Sequence, residues 1–212
     1  MDPFAEKVFA VLFATLGPLK TIVAFEALSR GQSYPRQAAL ACVGICFAAA
    51  IVGFTAFVSL DKMHTLGVSA DALTVAGGAI LFVAGLRRLT DDLPDAPSST
   101  LATPDPRAAR PKLVTTALWP LAAPSIVTPA AVVAILVFLE GTLNDDDARQ
   151  TVFMLIGLML VMNLVGMLAA GVILRIIGAA PLRIVGWLFS VLQTGMGVEL
   201  VIAALRRMHV LV

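Results

Sequence analysis

Several polar side chains lie near the middle of long apolar stretches, where a polar group needs a specific partner. Lys20 lies in the first such stretch and Asn163 in the fifth. An ammonium group at this depth can bind a carboxylate, while hydroxyl and amide oxygens can accept hydrogen bonds from an ammonium group. The residues that we expect to contact a small polar solute are Gly17, Pro18, Lys20, Thr21, Ser125, Thr128, Pro129, Asn163 and Gln193.

Lys20 has two acids that could form a charge pair with it. Glu26 follows six residues later, on a different face of the same predicted helix. Glu199 lies five or six residues from the centre of the last apolar stretch, so a direct contact would require a tilted or broken helix. The sequence therefore leaves two alternatives open: a lysine that neutralises a buried acid, or a lysine that lines a water-filled path.

Glycine and proline interrupt the first and fourth stretches near their centres. Gly17 and Pro18 are adjacent in the first stretch, and the fourth contains Pro120, Pro124 and Pro129. Proline lacks a backbone N–H and clashes with the preceding helical turn, so both helices should kink or unwind there. A neighbouring helix or a hydroxyl could satisfy the freed backbone groups, but breaks in two equivalent spans favour a solute-binding site.

The composition excludes an ordinary soluble domain. Of 212 residues, 59% are hydrophobic and 14% are charged, and the formal net charge is +1. A chain without excess positive charge is a poor candidate for binding nucleic acid. Charges are absent or rare in six stretches, which predict six membrane-spanning helices in contact with the lipid bilayer: residues 8–28, 38–60, 72–86, 113–139, 151–174 and 182–205.

The third stretch is too short to span a bilayer alone, so its helix must extend over Arg87 and Arg88 or back past Asp71. Residues 90–112 are rich in proline and small polar residues, which predicts a flexible cytoplasmic linker. It separates two three-helix repeats, residues 1–89 and 113–212. Because each half has an odd number of spans, the halves enter the membrane from opposite sides. We therefore expect an all-α polytopic membrane protein with two inverted repeats and broken first and fourth spans.

Lys and Arg residues are distributed unevenly between the two sides. Five lie on the side of the two termini, at positions 7, 62, 149, 206 and 207, and nine lie on the opposite side. By the positive-inside rule, the side with nine is cytoplasmic, so both termini should lie outside the cytoplasm. Nine lie in the loops after spans one, three and five: Arg30, Arg36, Arg87, Arg88, Arg107, Arg110, Lys112, Arg175 and Arg183.

Known catalytic motifs are missing from the sequence. It contains no His-Glu-x-x-His zinc motif, no Gly-x-Ser-x-Gly nucleophile motif and no phosphate-binding loop. We therefore expect neither enzymatic activity nor a cofactor or metal. Small residues four apart, such as Gly44 with Ala48, Ala49 with Gly53 and Gly166 with Ala170, favour close helix packing, within one protomer or in a homo-oligomer.

The same segments resemble the MarC family, which is related to the lysine-exporter superfamily, over nearly the whole chain. The matching motifs are residues 17–20 with Phe25, Leu28 and Ser29, the double-glycine segment 76–82, and residues 120–124, 128–131 and 183–189. The chain departs from the family pattern at both breaks, where the family has Asn, Gly, Gly and Gly at the positions of Gly17, Lys20, Thr128 and Ala130.

The resemblance implies a multi-pass protein of the bacterial inner (cytoplasmic) membrane that transports a small neutral amino acid, such as glycine or alanine. Alternating access of the two halves around Pro18 and Pro129 would move the solute. The lysine at position 20 could instead favour an anionic or larger solute. The alternative function is a non-transporting membrane scaffold or partner subunit, in which the polar residues only join helices.

Overall fold

The computed structural model describes residues 3–62, 67, 69–91 and 113–210, and these residues form helices joined by short turns. A short α-helix over Leu113–Thr116 continues directly as a π-helix over Ala117–Ile126, a segment that contains the backbone positions of Pro120 and Pro124. The α-helices are α1 (Pro3–Leu16), α2 (Pro18–Ser29), α3 (Tyr34–Lys62), α4 (Ala70–Asp91), α5 (Leu113–Thr116), α6 (Pro129–Glu140), α7 (Asp146–Leu168), α8 (Ala170–Ile176) and α9 (Ala179–Arg207).

Within the described ranges, five helical stretches are long and apolar enough to cross a membrane: Pro3–Ser29, Tyr34–Ser59, Asp71–Thr90, Asp146–Leu168 and Ala180–Arg207. The fourth predicted span consists of α5, the π-helix and α6. Each half thus begins with a broken span, α1 and α2 in the first and α5 to α6 in the second, followed by two further spans. The expectation of an all-helical polytopic membrane protein is confirmed.

Helix α4 extends past the third apolar stretch at both ends, as expected because that stretch is too short to span a bilayer alone. It begins before Asp71 and includes Arg87 and Arg88. Helix α4 ends at Asp91, so it includes the first two residues of the expected linker, and Thr90 Oγ1 donates to the Arg87 carbonyl at 2.8 Å within the helix. The rest of the proposed linker, residues 92–112, lies outside the described residues, including the cations at positions 107, 110 and 112.

The last spans of the two halves, α4 and α9, pack tightly and run antiparallel. Asp71 at the start of α4 pairs with Arg207 at the end of α9 at 2.7 Å. Midway along the pair, a Cβ atom at Gly78 would lie 2.5 Å from the carbonyl oxygen of Gly197. Only glycine permits backbones this close. Two inverted three-helix repeats would place their last helices antiparallel in this way.

The small-residue motifs have different environments. Gly44 faces Leu121 of the π-helix, and Gly166 of α7 faces Pro18 and Ile22 of α2, so these glycines pack within the protomer. A Cβ atom at Gly53, in contrast, would meet nothing within 4 Å. The expected packing is therefore present at Gly44 and Gly166, whereas the Ala49 and Gly53 pair lies on an open face of α3.

Candidate functional site

The break in the first span exposes the carbonyl end of α1. Gly17 has φ −67° and ψ 159°, so the chain leaves the helix there before Pro18 begins α2. In an uninterrupted helix, the Ala14 carbonyl would accept from residue 18, but proline has no N–H to donate. Because Gly17 is extended, the Thr15 and Leu16 carbonyls also lose the N–H donors that a continuous helix would supply. Three carbonyl groups therefore need other donors.

Side chains from four elements supply these donors. Arg88 Nη1 of α4 donates to the Ala14 oxygen at 3.3 Å. Thr128 Oγ1, at the start of α6, donates to the Thr15 oxygen at 3.1 Å, and Lys20 Nζ of α2 donates to the same atom. Asn163 Nδ2 of α7 donates to the Leu16 oxygen at 2.6 Å. We call the Ala14, Thr15 and Leu16 oxygens with these four side chains the carbonyl cluster.

Thr128 is also the point at which the second broken span restarts. Its Oγ1 accepts from the Ala131 N–H at 3.1 Å, which caps the beginning of α6, and Pro129 is the first helical residue. Just before the break, the Val127 N–H bonds the Ala122 oxygen at 2.9 Å, five residues back, as expected for a π-helix. The two predicted breaks are therefore present and meet through Thr128.

Gln193 reaches the carbonyl cluster indirectly. Its Nε2 donates to the Leu81 oxygen of α4 at 3.2 Å, and its Oε1 accepts from Arg88 Nη1 at 3.2 Å. The α9 side chain thus orients the guanidinium of Arg88. Ser125 is half-buried in the π-helix, and within the described chain no hydrogen bond joins it to the carbonyl cluster.

Two buried acceptor atoms near the break have no hydrogen-bond partner within the described part of the chain. They are the hydroxyl oxygen of Thr21 and the side-chain oxygen of Asn163, and both residues are fully buried. The first turn of α2 lies beside them, and its N-cap, Gly17, supplies no side-chain cap. Buried polar groups normally have a partner. Each of these two oxygens could therefore accept a hydrogen bond from a donor that the described residues do not supply.

The predicted charge pairs of Lys20 are not formed in the structure. Glu26 instead forms an ion pair with Arg30, 4.0 Å away, because six residues along a helix turn its carboxylate to another face. Glu199 lies on an exposed face of α9. Among the described residues, no carboxylate lies within 4.0 Å of the Lys20 ammonium group or the Arg88 guanidinium group.

Arg88 belongs to the site, although its position in the sequence predicts a cytoplasmic loop cation. Helical side chains point toward the N-terminus of their helix, so the guanidinium lies deeper than the Arg88 backbone. The signal in the sequence was the short third stretch, whose helix had to include Arg87 and Arg88. An arginine inside a membrane costs about 2.5–3.5 kcal/mol on insertion scales, so its inward position calls for a partner.

A cavity of about 460 Å³ adjoins the site between α4 and α6. Its walls are apolar, including Ile80 and Val83 of α4, except at the end where Arg87, Arg88 and Thr128 border it. Of the predicted site residues, Thr128 and Pro129 line this cavity. The described residues contain no group of three or more His, Cys, Asp or Glu side chains that could hold a metal ion.

Comparisons with known proteins agree with this architecture. The sequence profile of the family described as "MarC family integral membrane protein" matches residues 3–209. The chain is 27% identical over 206 residues to the "UPF0056 inner membrane protein MarC" of Escherichia coli O157:H7, covering 91% of this chain and 89% of that protein. The protein of the same name from Escherichia coli strain K12 / DH10B is 24% identical over 203 residues, with the same coverage. No solved structure matches the chain significantly.

Proposed function

Since the chain belongs to the MarC family of integral membrane proteins, we propose that this multi-pass inner-membrane protein transports a small polar solute by alternating access rather than catalysing a reaction. The observation that carries the proposal is the meeting of the two helix breaks, where Thr128 Oγ1 lies 3.1 Å from the Thr15 oxygen. Broken helices from two inverted halves commonly form the solute site of secondary transporters. A relative movement of the halves would open this site to either side.

The chemistry around the breaks suits a solute with both a carboxylate and an ammonium group. Lys20 and Arg88 are cationic donors for the carboxylate, and the free oxygens of Thr21 and Asn163 can accept from the ammonium group. A neutral amino acid such as glycine or alanine carries both groups. We therefore propose amino acids as the first solutes to test.

Counterflow into proteoliposomes tests the transport function directly. Vesicles are loaded with one unlabelled amino acid, and uptake of the labelled compound is compared with that of protein-free vesicles. We expect uptake for at least one amino acid and its loss in Lys20→Ala. Arg206→Gln, which removes an exposed charge at the end of α9, is the matched control and should retain uptake. Absence of flux for every solute would refute the proposal.

A second function, a scaffold that does not transport, is favoured by one observation. Each freed carbonyl of α1 already has a side-chain donor from the protein, so the polar residues could serve only to join helices. In a background with Cys42 and Cys46 replaced by alanine, Thr21→Cys separates the two functions. A transporter exposes this position to water-soluble thiol reagents and the solute protects it, whereas in a scaffold it stays unreactive.

A further inference from the structure

Two cationic side chains converge on consecutive carbonyls of one helix end. Arg88 Nη1 binds the Ala14 oxygen and Lys20 Nζ binds the Thr15 oxygen. The carbonyl end of α1 is equivalent to about half a negative charge, but the start of α2 at the same break contributes about half a positive charge. The partial charges of the two helix ends therefore cancel. When Lys20 is protonated, the two side chains leave an excess of about two positive charges at the break.

Among the described residues, no carboxylate pairs with either cation to balance this excess. Of the carboxylates whose side chains the structure describes, Glu26 pairs with Arg30, Asp71 pairs with Arg207, and Glu199 is exposed. Arg88 still has unused donors, since both of its hydrogen bonds involve Nη1, and Nε and Nη2 have no partner in the described chain. The break is therefore arranged to receive negative charge.

We propose that the transported solute carries a net negative charge, with two carboxylates that bind Lys20 and Arg88; this inference rests on the proposed transport function. A neutral amino acid supplies one carboxylate and leaves one cation unbalanced in a medium of low dielectric constant, where unpaired charge is costly. A second carboxylate gives each of the two cations a carboxylate partner and lowers the net charge at the break from about +2 to about +1. The free oxygens of Thr21 and Asn163 accept from an ammonium group of the same solute. These groups together describe an acidic amino acid.

Isosteric pairs of amino acids provide the sharpest test, because aspartate and asparagine, like glutamate and glutamine, have nearly the same shape and differ in charge. Each compound competes against labelled aspartate in counterflow, and its binding is measured independently by the shift in thermal unfolding of the purified protein in detergent. We expect the acidic member of each pair to act at concentrations at least about tenfold lower, the change expected for one charge-assisted hydrogen bond.

Substitutions at Arg88 test whether its guanidinium group binds a carboxylate of the solute. Arg88→Gln should reduce or abolish the preference for aspartate over asparagine, while Arg88→Lys, which keeps the charge, should retain part of it. Arg206→Gln removes the same charge far from the break and should preserve the preference. Because Arg88 also binds the Ala14 oxygen, Arg88→Gln could fail to fold; the comparison of isosteric solutes in the wild-type protein does not depend on that variant.

The outcomes separate this inference from the transport function. Preference for the acidic compounds in both assays supports the inference and transport together. Flux of alanine, asparagine or glutamine equal to that of the acidic compounds overturns the inference and leaves transport standing. Preferential binding of the acidic compounds without flux overturns transport, and with it the inference that the transported solute is acidic, and identifies the break as a binding site for acidic compounds only. If no compound binds or moves, both are overturned.

Discussion

Thr128 donates a hydrogen bond from Oγ1 to the Thr15 carbonyl oxygen over 3.1 Å and so joins two residues that are 113 positions apart in the chain. The same oxygen atom of Thr128 accepts from the Ala131 N–H. One hydroxyl thus caps the start of α6 and satisfies the exposed carbonyl end of α1. The two halves of the protein are joined at the points where both of their first spans are interrupted.

Thr128→Val keeps the shape of this side chain and removes both hydrogen bonds. We expect the free energy of unfolding in mixed micelles to fall by about 1–2 kcal/mol, the usual cost of losing a helix cap. Thr55→Val is the matched control, since Thr55 Oγ1 bonds only the Ile51 oxygen of its own helix at 2.9 Å. Equal losses in the two variants would show that the contact between the breaks contributes nothing beyond an ordinary hydroxyl.

Gly17→Ala should disrupt the first break. The added Cβ atom would lie 1.9 Å from the Phe13 carbonyl oxygen, so the backbone must move. We expect a loss of more than about 2 kcal/mol in unfolding free energy, in the range of strained backbone sites. Gly53→Ala in α3 meets nothing within 4 Å and should be neutral or stabilising. Thermal unfolding in detergent compares the two, and a stable Gly17→Ala protein contradicts the geometry of the break.

Gly197→Ala tests the close contact between α4 and α9. A Cβ atom there would lie 2.6 Å from both the Gly78 oxygen and the Phe82 nitrogen, so the helices must separate. We expect destabilisation by about 1–3 kcal/mol, as for other overpacked sites. Gly195→Ala, two residues earlier in α9, meets nothing within 4 Å and should show no loss. An unchanged unfolding midpoint in Gly197→Ala would mean that α4 and α9 are farther apart.

The orientation of the chain in the membrane is testable at two exposed turn residues. With Cys42 and Cys46 replaced by alanine, Asn144→Cys lies between α6 and α7, and Ser33→Cys lies between α2 and α3. The excess of Lys and Arg on the Ser33 side predicts that this side is cytoplasmic. An impermeant maleimide added to intact cells should label Asn144→Cys alone, and Ser33→Cys only after permeabilisation. The reverse pattern would invert the topology.

The broken spans show which features follow from local chemistry. A proline cannot donate a backbone hydrogen bond, so interruptions at Gly17 and Pro18 and before Pro129 could be predicted without knowing what surrounds them. The π-helix over Ala117–Ile126 could not be predicted in this way. The prolines indicate where regular α-helical hydrogen bonds cannot form, but the backbone hydrogen bonds that replace them depend on the packing of neighbouring helices. Here Gly44 of α3 packs against Leu121 of the π-helix.

The partners of Lys20 and the position of Arg88 illustrate the opposite case. The sequence placed a lysine near the centre of a span and offered Glu26 and Glu199 as partners, whereas the structure pairs Lys20 with the Thr15 carbonyl. Arg88 was counted as a loop cation, although its side chain reaches the Ala14 carbonyl. Whether such a side chain faces lipid or the bundle depends on the rotation of its helix, which charge counts do not record.

The sequence by itself determined the membrane environment, the six apolar stretches and the two interrupted spans, because hydropathy and proline chemistry act within a few residues. Only the tertiary structure decided that the interruptions meet at Thr15 and Thr128, that Lys20 and Arg88 share one helix end, and that α4 lies against α9. These relations join residues from separate helices. They depend on how the helices rotate and approach one another, and the freed carbonyls are satisfied only after that packing is complete.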